Sequence, residues 1–417
     1  MDRCHERYGD SFTLRVRRGR PWVFLTDPEH VKQVFTTDTE LLYSGASEAN
    51  PLLAPLLGSR SVMLLDEPQH MNDRKRLLPS FHGQRMKDYG EMMSDVARTQ
   101  VSRWPVGEPF ALWPRMQAIS LEVVMRAVFD DLDRGRSERL RTRLVELTDW
   151  INTPRRLVLL AAVGSRTLTA NAGFRKALSR VEEVVLEEVR ERRADGIGDR
   201  QDIHAMLERA HAQGGEPVGE QKMRDELVTM LSDGPTATSL AWVFERLLRH
   251  PDKLARLREE LSVGETEEYL DAVVKETLRL CPAVPVVMRR LIEPMRVGGY
   301  DLPAGTVLAP CVYLMHRRAD VYPDPLSFRP ERFLTSSAGT YTWIPFGGGV
   351  RRCVAASFAQ LEIKRVMQVV LGELDLRAVE SRSEGAARSS VSFTPAGGAR
   401  VIAARRHPDK TVSLSRA

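Results

Sequence analysis

The sequence predicts a single large domain, mainly α with a small β portion near both ends (an α+β chain). From about Gln69 to Arg279 apolar residues recur at helical spacing with little interruption. Short apolar stretches bounded by Pro and Gly stand only near the start and after Arg296. No Pro/Gly/Ser-rich linker or charge block divides the 417 residues, although length alone would suggest two or three domains.

Taken in order, Phe12 to Val16 and Trp22 to Thr26 flank a Gly19-Arg20-Pro21 turn and read as a β-hairpin. Asp27-Pro28-Glu29 opens a helix, with Asp27 as N-cap and Pro28 at the first helical position. Ser137 to Asn152, Ala177 to Asp195 and a long stretch from about Lys222 to Arg249 are helical. Apolar stretches at Arg296 to Val307 and Val391 to Ala403 supply the later strands, and Ala355 to Leu374 an amphipathic helix between them. The domain is drawn as 1–405, with 406–417 a disordered tail.

Composition narrows the function classes. Hydrophobic content of 42% with 28% charged residues is ordinary for a soluble globular chain. The net charge of +5 comes from scattered arginines, with no basic nucleic-acid arm and no zinc-finger spacing. Cys4, Cys281, Cys311 and Cys353 are too irregularly spaced for a disulfide framework, which suits a reducing cytoplasm. Met1 to Arg20 is polar and offers no signal peptide or membrane anchor.

The most informative segment is Phe346-Gly347-Gly348-Gly349-Val350-Arg351-Arg352-Cys353. It is a glycine-rich loop delivering a cysteine to a helix start, where unpaired N–H groups and the helix dipole favour thiolate over thiol. Three glycines let backbone approach something flat and bulky without an intervening Cβ. Haem iron held by a cysteine thiolate, which promotes O–O cleavage, is the chemistry this arrangement suits. A buried structural cysteine is the plainer alternative.

The run Phe346-x-x-Gly349-x-Arg351-x-Cys353 resembles the haem-binding signature of cytochromes P450. Glu276-Thr277-Leu278-Arg279 resembles the family's Glu-x-x-Arg, and Phe328-Arg329-Pro330-Glu331-Arg332-Phe333 its Pro-Glu-Arg-Phe meander. Three short motifs in order, with fitting gaps, make a specific signal, and the likeness runs from about Tyr8 to about Val401. Two departures stand out. Ala355 occupies a position where the family normally has glycine, and the chain starts almost at its first strand, which leaves a truncated or mis-assigned start open.

The resemblance implies a P450 fold, haem b between two long helices, and Cys353 as iron ligand. Phe346 lies in the same haem loop. His70 and Arg74, on one helical face, together with Arg289 and Arg351, take the propionate-binding positions; a solvated helix face is the plainer reading of His70 and Arg74. Glu276, Arg279 and Arg332 are implied to form a buried ion-pair triad that is structural rather than catalytic. Arg74, Lys75, Arg76, Arg351 and Arg352 are implied to surround the proximal side as a basic patch that steers an acidic ferredoxin, itself served by a ferredoxin reductase.

The Lys222 to Arg249 helix breaks the family pattern. P450 monooxygenases usually carry an acid–alcohol pair there that relays the protons needed for O–O cleavage. This chain has Leu231-Ser232-Asp233-Gly234-Pro235-Thr236-Ala237-Thr238. Aligning on Leu240-Ala241-Trp242 puts Gly234 and Pro235 at the two positions, whereas aligning on Asp225-Glu226-Leu227 puts the pair about two residues later. The helix therefore reads as about two residues short, with Pro235 kinking its interior at a cost of about 3 kcal/mol. Asp233 and Thr236 are candidates for a rebuilt relay, against the plainer reading of a solvated Asp and a packed Thr.

Three functions follow. The first is a ferredoxin-dependent monooxygenase that inserts oxygen from O2. The second is a peroxide-using or hydroperoxide-rearranging relative, since proline at the alcohol position resembles P450 peroxygenases. The third is a non-turnover haem-bound sensor or scaffold. By resemblance the pocket walls come from Leu52 to Leu65, Ile151 to Leu168, Met230 to Pro235, Val284 to Met288 and Val391 to Thr394. Their aliphatic character suits an apolar small molecule such as a lipid, terpenoid or polyketide.

Overall fold

In the computed structural model, residues 1–15, 21–37, 42–43, 53–153, 171–215, 217–232, 234–336, 339–389 and 392–406 are described. The N-terminal hairpin forms as its pattern predicts. Ser11–Arg15 pairs antiparallel with Pro21–Leu25, which runs parallel to Val307–Pro310. Arg289–Leu291 and Leu42–Tyr43 complete a five-stranded sheet. Asp27 caps the next helix, Pro28–Thr36, accepting from the N–H groups of Glu29 at 2.9 Å and His30 at 3.1 Å. Five short strands were not legible: Leu42–Tyr43, Arg289–Leu291, Ala386–Ser389, Pro109–Ala111 and Leu374–Ala378. The last two pair on either side of Arg400–Arg405.

The helical body follows the apolar periodicity. Arg134–Asn152 is capped by Asp133 and buries Leu140, Leu144 and Leu147 on one stripe against Ala172–Asp195. Pro235–Leu248 is buried on nearly every face. It packs against Leu112–Val128, Glu268–Leu280, Ala356–Glu373 and the strand Ser392–Pro395. A helix apolar all round belongs in the middle of a large core, and this one organises everything near the candidate site.

One expectation is corrected. The Lys222 to Arg249 stretch is two helices rather than one kinked helix: Glu220–Leu231, then Pro235–Leu248. Proline at the first helical turn costs little, because its missing N–H would have no intrahelical partner there. The interior penalty predicted for Pro235 is therefore absent. Gly234 precedes it at φ −135°, and Ser232 ends the first helix, its hydroxyl donating to the Val228 carbonyl at 2.7 Å. Asp233 and the tail from 407 lie outside the described residues.

Candidate active site

The cysteine loop is closed by its own backbone. The Cys353 N–H donates to the Phe346 carbonyl at 3.0 Å, and Gly349–Arg351 makes a single 3-10 turn between them. Gly347 and Gly349 adopt φ +70° and +66°, conformations that favour glycine. The purpose of two of these glycines differs from the expectation. A Cβ on Gly348 would meet the Phe35 ring at 2.3 Å, and one on Gly349 the Phe35 carbonyl oxygen at 2.3 Å. They let the loop press onto the Pro28–Thr36 helix. Only Gly347 keeps space on its Cβ side, its nearest neighbour there being Val287 at 3.8 Å.

Cys353 stands just before the N-cap, Ala355, of the helix Ala356–Glu373. It is the exposed thiol of the four. Burial pushes Cys281 and Cys311 up to about 11 and keeps them as inert thiols. The Cys353 charge acts on the Arg74 guanidinium, favouring its protonated form. Phe346 packs on the main core, its ring 6.2 Å from that of Trp343.

The four residues assigned to anion binding converge. His70 and Arg74 lie on the helix Gln69–Leu77, Arg289 begins a sheet strand, and Arg351 belongs to the cysteine loop. Burial and mutual repulsion hold all four below their ordinary pKa values. Burial and Arg351 lower Arg289 to about 10, burial above all lowers Arg351, and burial and Arg351 lower His70. Asp66 reaches Arg351 at 3.3 Å, and Glu67 bonds His70 Nδ1 at 2.6 Å. Among the described residues no carboxylate pairs with Arg289, and Arg351 Nε is buried without a partner. Clustered cations with unspent donors fit a ligand bearing carboxylates, as the two propionates of haem b do.

The exposed basic patch needs correcting. Arg351 is buried, Arg74 faces Cys353 and Arg76 pairs with Asp73 at 3.0 Å. Lys75 and Arg352 are the members that stay exposed.

Behind the loop lies the expected triad. Arg279 donates through Nε and Nη2 to both Glu276 oxygens at 2.7 and 2.8 Å, and Arg332 Nε reaches Glu276 at 3.2 Å. Arg279 Nη1 also donates to the carbonyls of His316 and Pro325, at 2.6 and 2.8 Å. His316 was missed by sequence reasoning, since no motif marks it. Burial holds it neutral, down to about 3. Its Nδ1 donates to the Arg279 carbonyl at 3.1 Å and its Nε2 accepts from the Ile344 N–H at 2.9 Å. One imidazole thus ties the triad to the start of the cysteine loop.

On the other side, Thr236 is buried in the first turn of the second half-helix, and its hydroxyl has no hydrogen-bond partner among the described residues. The first half-helix grips the 53–65 segment. Asp225 accepts from the Arg60 N–H at 2.9 Å, Thr229 shares a hydrogen bond with Ser61 at 2.7 Å, and Arg224 donates to the Leu57 carbonyl at 3.0 Å. Of the predicted pocket walls, 154–168 and residues 52 and 391 lie outside the described residues.

The family model for cytochrome P450 matches residues 1–395. Cytochrome P450 135B1 of Mycobacterium tuberculosis is 36% identical over 412 residues, spanning 95% of this chain and 85% of that protein. Cytochrome P450 137 of the same species is 35% identical over 407 residues, spanning 96% and 84%. Among solved structures, the retinoic acid-bound cyanobacterial CYP120A1 superposes with a TM-score of 0.83 at 20% identity, covering 97% of this chain and 94% of the other.

Proposed function

The chain belongs to the cytochrome P450 family, and we propose that it is a ferredoxin-dependent monooxygenase acting on an apolar small molecule. The enzyme class and the haem b cofactor come with the family; the substrate class, the donor and the residue roles are our reading. The observation that carries it is the cation cluster around Cys353. Arg289 has no carboxylate partner among the described residues, and Arg351 keeps a buried donor unspent.

In this reading Cys353 would ligate the iron, His70, Arg74, Arg289 and Arg351 would bind the propionates, and Phe346 would help close the cysteine loop. Haem b, when bound, supplies the oxygen chemistry. The chain's own task is to exclude water and to hold a proton at a defined atom. Thr236 Oγ1, on a buried residue and with no hydrogen-bond partner among the described residues, is that atom, with Asp233 as the nearest acid along the sequence. Lys75 and Arg352 are the exposed charges left to meet an acidic ferredoxin.

A second reading, peroxide in place of O2 and ferredoxin, is supported by Pro235, which begins the second half-helix and stands at the alcohol position when the chain is aligned on Leu240-Ala241-Trp242. The first experiment is the carbon monoxide difference spectrum of the dithionite-reduced protein. A strongly red-shifted Soret band is expected; a neutral-thiol band or no haem uptake would overturn the reading in favour of a binding protein. Product formed with ferredoxin, its reductase and NAD(P)H, but not with hydrogen peroxide alone, then separates the first reading from the second.

A further inference from the structure

The second half-helix holds the C-terminal β region with side chains that no motif marks. Trp242, Glu245 and Arg249 fall at i, i+3 and i+7 and so share one face. The buried Trp242 indole N–H donates to the Phe393 carbonyl at 2.7 Å. Glu245, also buried, accepts from the Glu384 N–H at 2.9 Å, and Arg249 donates to the Glu380 carbonyl. Arg246 lies over the Trp242 ring, 5.2 Å from its centroid, and pairs with Glu245 at 2.6 Å, which fixes the indole's orientation.

Phe393 is held through its N–H as well. Its N–H donates to the Ala283 carbonyl at 3.3 Å. The segment that starts there runs through Val287, the neighbour on the open side of Gly347, to Arg289 in the cation cluster. The strand Ser392–Pro395 is therefore slung between the second half-helix and a segment that reaches the cysteine loop. The Phe393 ring is half-buried and joins no apolar cluster of the described residues. A half-buried aromatic outside the core, on a backbone pinned at both N–H and C=O, is a rigid contact surface rather than a core residue.

We propose that Trp242 is a positioning residue for ligand size: its hydrogen bond to the Phe393 carbonyl fixes the strand Ser392–Pro395 at the edge of the ligand pocket. This rests on the reading of Cys353 as the iron ligand, and the test keeps the two apart. In full-length holoprotein, Trp242→Phe keeps an aromatic ring and removes only the donor. Its reduced carbon monoxide band and its affinity for imidazole, a small iron-binding probe, stay at wild-type values. Its affinity for clotrimazole, a bulky triaryl azole, shifts by about fivefold, the equilibrium weight of one ordinary hydrogen bond. Amide exchange across residues 392–396 quickens about fivefold without any azole, while residues 356–373 are unchanged.

Unchanged clotrimazole affinity together with unchanged exchange would overturn the proposal. Equal shifts for both azoles would also overturn it, by showing a general loss of haem access. Absence of the thiolate band in wild-type protein would instead sink the underlying iron-ligand reading. Should Trp242→Phe fail to fold, Arg249→Met, which loosens the same grip one turn further on, carries the test. It shifts clotrimazole affinity in the same direction by a smaller factor, and no shift there would count against the proposal.

Discussion

The cysteine side and the broken-helix side of the site are built on opposite principles. On the cysteine side the charged groups of the triad behind the loop are tied to rigid backbone and to one another. Glu276 serves two arginines, Arg279 reaches three carbonyls, and His316 closes the path to Ile344. On the other side the helix stops and restarts within three residues, and each half carries a different wall. The first half grips residues 57–61 mainly through charges; the second grips residues 380–393 through an indole, a carboxylate and a guanidinium. The cysteine loop thus rests on a scaffold that tolerates little variation, whereas the opposite wall is assembled from two separately anchored pieces.

The largest effect expected from testing that contrast is on the cysteine. Cys353→Ser abolishes the thiolate-type carbon monoxide band outright, because no other thiol stands in the loop; Cys281 and Cys311 are buried in their neutral form. A surviving band would remove Cys353 from the site altogether. Next comes the scaffold behind it. Glu276→Ala strands Arg279, which is wholly buried, and loses the Arg329 N–H acceptor as well. A cost of about 3–5 kcal/mol is expected in urea denaturation. A loss under about 1 kcal/mol would mean that the carbonyls around Arg279 suffice and that the triad is not the scaffold's anchor.

How much of this was legible depended on whether the informative residues were contiguous. The cysteine loop, Glu276 with Arg279, and Arg332 stand in short motifs, and the structure brings together the residues those motifs named. Phe35 and His316 do not. Each acts across a fold contact with a loop far along the chain, and no local spacing records that Gly348 and Gly349 must clear Phe35. The helix break was half legible. A two-residue shortfall could be counted, but two alignment anchors disagreed on its place. Only the backbone shows Pro235 at a helix start, where it is cheap, rather than in an interior, where it is costly. Arginine burial was the least legible property, since Arg351 and Arg352 are adjacent in sequence yet one is buried and one exposed.

The smallest predicted effect concerns how pH bears on the two sides. His316, pushed down to about 3, stays neutral in the fold while the unfolded imidazole takes a proton near 6.5. Its contribution is present above that pH and is lost as pH falls, so acid weakens the cysteine side. Glu226 on the first half-helix behaves in the opposite way. Burial pushes it up to about 7, and its Oε2 has no hydrogen-bond partner. Lys222 bonds its Oε1 at 2.6 Å but must also serve Asp73 on the helix Gln69–Leu77. Arg76 on that helix is occupied with Asp73, and His211 on the helix Ile203–Gln213 is held below its ordinary value by burial. The unfolded carboxyl ionises near 4.3, so between about pH 4 and 7 the native state keeps a proton that the unfolded chain releases. Its stabilising contribution is therefore full below pH 4 and is lost as pH rises through 7. Glu226→Gln mimics the protonated acid and removes that slope. The variant matches wild type near pH 4 and is the more stable by about 1–3 kcal/mol at pH 8, read by urea denaturation at the two pH values. An equal difference at both pH values would show that Glu226 is ionised throughout, that Lys222 favours it over Asp73, and that both sides of the site weaken only in acid.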